Sequence, residues 1–377
     1  MIRNNLQKNT NRQIAGRYTL HTLRILVAIV FIFSGFVKLV DPLGFTYKIE
    51  DYLEAMGGFA QTLSSLALVA SIAISTFEML LGLCLLFQIQ VKRTAFFVLL
   101  FMLIMTPLTL WIALKNPVTD CGCFGDALVI SNWETFFKNV VLLIFIIIIL
   151  IFSKKINQLF LPYIEWVAIL IFIGTGVGVA VYSLQNLPLI DFLPYKKGTN
   201  IPDAMLIPEG APLDKLETTF IYEKDGVQKE FTLENYPKGD STWKFVDQKT
   251  TLISEGFKPP IHDLHIVDEA IGEITEDVIY YEGSTYLFVM YDINKTSKEG
   301  AIKAEEFYQK YKNSTTKFYA LTASGDDDIE TFRQNTGITY PFCKTDPITL
   351  KTMIRSNPGL ILIKNGTIQG KWSWRNF

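Results

Sequence analysis

Cys121-Gly122-Cys123 is the stretch of this chain best equipped for chemistry. Two thiols separated by one glycine can meet in a tight turn, because glycine tolerates the backbone angles such a turn needs. A pair held that close suits a thiol–disulfide switch better than two inert core cysteines. Exchange requires a thiolate, so one member should have a lowered pKa. The sequence offers no obvious local activator, and the neighbouring Asp120 and Asp126 oppose a thiolate. Elsewhere there are only Cys84, Cys343 and three histidines. A zinc site normally takes four Cys or His ligands, and the pair has no others near it, so no metal site is expected.

The pair lies in a short loop, 115–132, between two apolar runs that could each cross a bilayer. Five such runs occur, at about 21–40, 63–87, 94–114, 133–152 and 162–184. The first reads as a retained helix rather than a cleavable signal, since its apolar core is long and no small-residue cleavage site follows. Basic segments (Arg3, Lys8, Arg12 and Arg17; Lys92 and Arg93; Lys154 and Lys155) alternate with an acidic connection (Asp41, Glu50, Asp51, Glu54) and the cysteine loop. That alternation predicts a cytoplasmic N-terminus, with the loop and the C-terminal half outside. Disulfides can form there.

The 377 residues include 37 acidic and 35 basic side chains. Roughly three quarters of the acidic ones lie beyond Leu187, where acid exceeds base, so a membrane domain precedes a soluble one. Scattered basic residues and an acidic soluble half argue against a nucleic-acid partner.

Charged residues inside spans are costly and mark candidate sites. Glu78 lies within the second span, about 20 Å from its outer end at the rise of a helix. Lys38 closes the first span, so it is expected to snorkel to the interface, and a direct pair with Glu78 needs a long reach. A solute transporter using Glu78 would be expected to show repeats and broken helices, which this sequence lacks.

Ile32-Phe33-Ser34-Gly35-Phe36-Val37-Lys38 and the Glu78-to-Gly82 spacing resemble the first two helices of the DoxX superfamily. Asp120-Cys121-Gly122-Cys123-Phe124-Gly125 is similar to the cysteine motif of its MauE branch, a likeness covering roughly residues 18–155. MauE-like proteins are four-helix membrane proteins of methylamine utilisation, associated with disulfide formation and maturation of methylamine dehydrogenase beside a thioredoxin-like partner. The resemblance implies a redox-maturation role, without methylamine as this protein's substrate.

After the fifth span, Pro188, Pro194, Pro202, Pro208 and Pro212 suggest an extended connector. Asp225-Gly226 between alternating runs signals a β-hairpin, and a further strand pair is expected around 242–253, giving a small β-rich module. From about Phe257, strands at 286–291 and 317–322 alternate with helices at 299–311 and 326–336. A short helix at 349–355, a hairpin around Asn365-Gly366 and a final helix complete a thioredoxin-like pattern. Pro259-Pro260-Ile261-His262-Asp263-Leu264 resembles the opening of membrane-linked thioredoxins, and Asn357-Pro358-Gly359 resembles the thioredoxin cis-proline segment, which would make Pro358 the cis-proline. The position of the thioredoxin Cys-x-x-Cys reads Asp292-Ile293-Asn294-Lys295-Thr296-Ser297, so the usual nucleophile is missing.

The expected protein is an α-helical membrane bundle, four DoxX/MauE-like helices plus a fifth transmembrane helix, followed by a β-rich segment and an α/β thioredoxin-like domain. Its divisions are a basic tail (1–19), the bundle (20–155), the fifth helix (162–184), linker and β-module (188–255), and the outer domain (257–377). The expected setting is a bacterial inner membrane with a periplasmic C-terminal domain. Cys121 and Cys123 are the candidate catalytic residues, with Cys343, Glu78 and Lys38 as further candidates. The expected partners are membrane lipid and an extracytoplasmic client or thiol-redox protein. No cofactor is identified, but the electrons of a cycling pair would leave through a quinone, another membrane carrier or a separate thiol protein. The competing reading is a non-enzymatic scaffold whose loop disulfide is a permanent staple.

Overall fold

A computed structural model describes residues 2–118, 120–212, 215–254 and 256–377. The side chains of Arg3, Lys8 and Arg12, part of the expected basic tail, lie outside the described residues. The helices are α1 (Ile2–Val40), α2 (Pro42–Met56), α3 (Ala67–Leu86), α4 (Val91–Lys115), α5 (Asn132–Ile151) and α6 (Pro162–Gln185), with a 3₁₀ segment Gly58–Leu66 leading into α3. Five helical stretches among the described residues are long and apolar enough to span: Gly16–Val40, Gly58–Leu86, Val91–Lys115, Asn132–Ile151 and Pro162–Gln185. This is a multi-pass membrane protein.

Small residues set the bundle's geometry. A Cβ on Gly35 would stand 2.5 Å from the backbone N of Met79, and one on Gly82 would stand 2.7 Å from that of Ile32. Backbones of α1 and α3 therefore touch, as small residues allow in lipid. That contact puts Lys38, three residues beyond Gly35, level with Glu78, one residue before Met79. The connection α2 is a helix in its own right, with Pro42 in its first turn and Asp41 as N-cap, its carboxylate accepting from the Gly44 N–H at 3.0 Å. It packs on α3 and α6 at the end of the bundle that carries the cysteine loop.

Beyond α6, the proline-bearing connector does not run free. Tyr195 and Ile201 are fully buried in the core of the following domain, and α7 (Ile201–Met205) is held by the Ile201 N–H donating to the Gly366 carbonyl. The extended-connector expectation fails because this stretch also carries apolar residues the domain buries. The β-module is one antiparallel sheet, β2-β1-β3, of β1 (Lys215–Lys224), β2 (Val227–Thr232) and β3 (Lys244–Ser254). Asp225 and Gly226, both at positive φ, turn its hairpin. The expected second strand pair is the single strand β3.

The last domain is a seven-stranded mixed sheet, β10-β9-β6-β7-β8-β4-β5. Its elements are β4 (Val267–Asp268), β5 (Gly272–Glu273), α8 (Thr275–Ile279), β6 (Ser284–Met290), α9 (Lys298–Tyr311), β7 (Lys317–Thr322), α10 (Asp326–Thr336), β8 (Phe342–Lys344), α11 (Pro347–Met353), β9 (Gly359–Lys364) and β10 (Thr367–Ser373). The strands β6, β7 and β8 are parallel, and the β9–β10 hairpin is antiparallel to β6. Alternation along β6 sends Leu287 and Val289 to one core, and Phe288 and Met290 to the other. This is a thioredoxin-like α/β arrangement, with a cis peptide at Asn357–Pro358. No helix follows β10. Instead the Phe377 ring packs edge-on against Phe288 at 6.0 Å.

Candidate functional site

The loop after α4 is shaped from within. The Asp120 carboxylate accepts from the Gly122 N–H at 2.9 Å and from Lys48 Nζ at 2.8 Å. Gly122 adopts φ +62, the left-handed region glycine favours, so both cysteine side chains turn the same way. Their sulfurs lie 2.8 Å apart and both thiols are free. The Tyr52 hydroxyl of α2 donates to the Cys121 carbonyl, and Ser34 Oγ of α1 donates to the Cys123 carbonyl at 2.7 Å. The loop is thus pinned between two helices.

The two thiols are electrostatically unequal. Hydrogen bonding to Cys123, then burial, pushes the Cys121 thiol up. The hydrogen bond from Cys121 brings Cys123 down to about 6, against its own burial, and the charges of Lys138 and Lys38 assist while Glu78 opposes. Cys123 is the member of the pair that these neighbours favour as the thiolate, with the Cys121 thiol in contact with it. The carboxylates expected to prevent this are paired elsewhere: Asp120 with Lys48, and Asp126 with Arg355 at 3.3 Å. The activating cations come from α1, remote in sequence, and from α5, the helix that follows the loop.

Lys38 does not snorkel. It is buried, and its Nζ donates to Glu78 at 2.7 Å and to Ser34 Oγ at 3.1 Å. The expected offset from Glu78 disappears because the close α1–α3 contact at Gly35 and Gly82 sets Lys38 level with Glu78 inside the bundle. A chain of contacts therefore runs Glu78–Lys38–Ser34–Cys123. Below the thiols a cavity of about 230 Å³ is lined by both cysteines, Lys38, Glu78 and Lys138 together with apolar side chains.

Cys343 does not join the pair. It sits in β8, 1% exposed in the core of the thioredoxin-like domain, with its thiol pushed up to about 12 by burial and by Asp268. Cys84 is buried within α3. His262 and His265 make local contacts to the Pro259 carbonyl and to Glu273. Among the described residues no cluster of His, Cys, Asp or Glu could hold a metal.

The thioredoxin-like domain meets the loop end with its own equivalent of an active-site face. Arg355, two residues before Asn357, is 7% exposed at its side chain and donates Nε to both Asp41 oxygens at 3.1 and 2.8 Å. Burial works against its charge, but Asp41 and Asp126 outweigh it, so its pKa rises. Tyr291, the residue after β6 and before Asp292–Ser297, hydrogen-bonds Tyr47 of α2. Lys351 lies over the Tyr47 ring at 4.5 Å. Sequence reasoning missed Arg355, Lys48 and Lys138. Only Lys138, a lone cation in an apolar span, carried a readable signal.

Fold and site together define a multi-pass membrane protein in which a thioredoxin-like domain without Cys-x-x-Cys packs against the loop that carries a largely buried thiol pair. Residues 16–152, which hold four of the five spanning helices, match the family described as methylamine utilisation protein MauE. Residues 216–255 match a family described only as a domain of unknown function, DUF8463, and coincide with the three-stranded module. No curated protein matches the chain. Among solved structures, the solution structure of a candidate protein disulfide isomerase from Bacteroides thetaiotaomicron is similar at 16% identity, over 30% of this chain and 77% of that one, with a TM-score of 0.25.

Proposed function

We propose that this chain is a membrane thiol–disulfide redox protein in which Cys121 and Cys123 cycle between dithiol and disulfide in support of extracytoplasmic protein maturation. The observation that carries this is the geometry of the pair, two free thiols with sulfurs 2.8 Å apart at the wall of a cavity that Lys38 and Lys138 also line. A staple needs proximity alone. Activation by Lys38 and Lys138, with the nearby carboxylates paired elsewhere, suits a nucleophile and a resolving thiol.

In a bacterial inner membrane, with the N-terminus cytoplasmic, the loop and the thioredoxin-like domain face the periplasm. The match of residues 16–152 to the family described as methylamine utilisation protein MauE supports the membrane part of this reading. The thioredoxin-like domain, lacking Cys-x-x-Cys, positions the loop and excludes water. Exchange with a protein client requires it to lift from Asp41 and Asp126.

The test is reaction of the purified protein with oxidised glutathione. In Cys121→Ser, Cys123 should form a stable mixed disulfide, whereas the wild type should resolve it to the internal disulfide with a rate rising through about pH 6. No reaction at Cys123 short of unfolding would refute cycling and leave the scaffold reading.

A further inference from the structure

The cavity beside the thiols is built for a ligand of particular chemistry. Phe31, Met102, Leu108, Ile112 and Leu142 form apolar walls around about 230 Å³. A dry cavity of ~150 Å³ already holds benzene, so a substituted six-membered ring fits. Met56, 49% exposed, stands at its rim. Lys38 supplies a charged donor at the wall, 6% exposed, with two of its three ammonium hydrogens on Glu78 and Ser34. The third lies toward the Phe45 ring, 4.9 Å from Nζ at the cavity wall, a weaker contact than a hydrogen bond to an acceptor in the cavity. A lipid acyl chain offers no such acceptor. A ring carrying carbonyl oxygens satisfies the apolar walls and the donor together.

We propose that the cavity binds a lipid-soluble quinone, with one carbonyl oxygen on Lys38 and its ring beside Cys123, as the two-electron acceptor of the loop pair. This rests on the reading that the pair cycles. The Cys123 thiolate adds to a ring carbon, and the electron pair moves onto the quinone oxygens. The Cys121 sulfur then attacks the Cys123 sulfur. The S–S bond forms as the C–S bond breaks, leaving that second electron pair on the ring. The proton of Cys121 and one from the Lys38 ammonium complete the hydroquinone, and Lys38 regains its proton from water. One dithiol is oxidised and one quinone reduced. A one-electron acceptor would instead leave a thiyl radical.

The test mixes reduced full-length protein, in quinone-free nanodiscs without oxygen, with decylubiquinone. Quinone absorbance and mass-tagging of thiols are followed together, and the same preparation is titrated in glutathione buffers. The expected result is one quinone consumed per pair of thiols lost, with no reduction by Cys121→Ser. Met105→Trp, which fills the cavity, and Lys38→Met should each slow the reaction at least tenfold. If the pair titrates with glutathione but the quinone is not reduced, or is reduced equally fast by Met105→Trp and Lys38→Met, the quinone site is overturned and the cycling reading stands. If the pair does not titrate at all, the cycling reading itself fails.

Discussion

Replacing Lys38 by methionine removes the positive end of a buried ion pair while keeping most of the side chain's volume. Two hydrogen bonds, of 3.1 and 2.7 Å, link Lys38 Nζ through Ser34 to the Cys123 carbonyl. A separation on the order of 6 Å from the sulfur corresponds to ~3 kcal/mol at an effective dielectric of ~20. Glu78 stays in place in this variant, so the whole of that attraction is lost, roughly two pKa units. Cys123 should therefore shift from about 6 to ~8. Its iodoacetamide alkylation rate, read by mass spectrometry, should fall roughly fiftyfold at pH 6 and roughly tenfold at pH 7, and change little at pH 9. Glu78→Gln should act with the opposite sign, since Glu78 opposes the thiolate. A Lys38→Met profile that overlays the wild type, in a protein shown to be folded, would refute the claim that α1 activates the pair.

Three further outcomes follow from the same geometry. Arg355→Ala leaves Asp41 and Asp126 without their shared cation. Breaking such a buried pair costs ~3–5 kcal/mol, so the interface should open and deuterium exchange should rise in α2 and around the cysteine loop. Gly82→Ala forces a methyl to within 2.7 Å of the Ile32 backbone N and should lower bundle stability by ~1–3 kcal/mol, read as a reduced thermal midpoint. For the reduced protein, Cys123's lowered pKa adds stability that is full above the unfolded thiol value and lost as pH falls through about 6. Cys121's raised pKa adds stability that is full below that value and lost as pH rises above it. The melting midpoint should therefore peak near the ordinary thiol pKa of ~8.5, and Cys121→Ser/Cys123→Ser should abolish the peak.

The spans were legible in the sequence because apolar length is a local property that lipid reads directly. The strands 317–322 and 359–364 and the helix 326–336 were equally readable, since period-2 and period-3.6 patterns arise within each segment. What could not be read depends on close approach between segments. Gly35 and Gly82 set how α1 and α3 slide past each other, and that register alone puts Lys38 on Glu78. The loop's electrostatics were misjudged for the same reason. Asp120 and Asp126 were visible beside the cysteines, but their partners Lys48 and Arg355 lie 72 and 229 residues away along the chain. Helix α2 was read as a connection, because a short amphipathic stretch between spans carries no signal that it will fold back over the bundle.

The measurement that bears most directly on the central claim is the reduction potential of the pair. The intact purified protein is equilibrated in defined thiol–disulfide buffers, quenched, and mass-tagged at Cys121 and Cys123. Cycling predicts a two-electron transition with a midpoint between about −120 and −270 mV, in the range of working oxidoreductases, and its loss in Cys121→Ser. A pair that stays oxidised below about −300 mV would instead be a structural staple, and the account of this protein as a redox catalyst would be wrong.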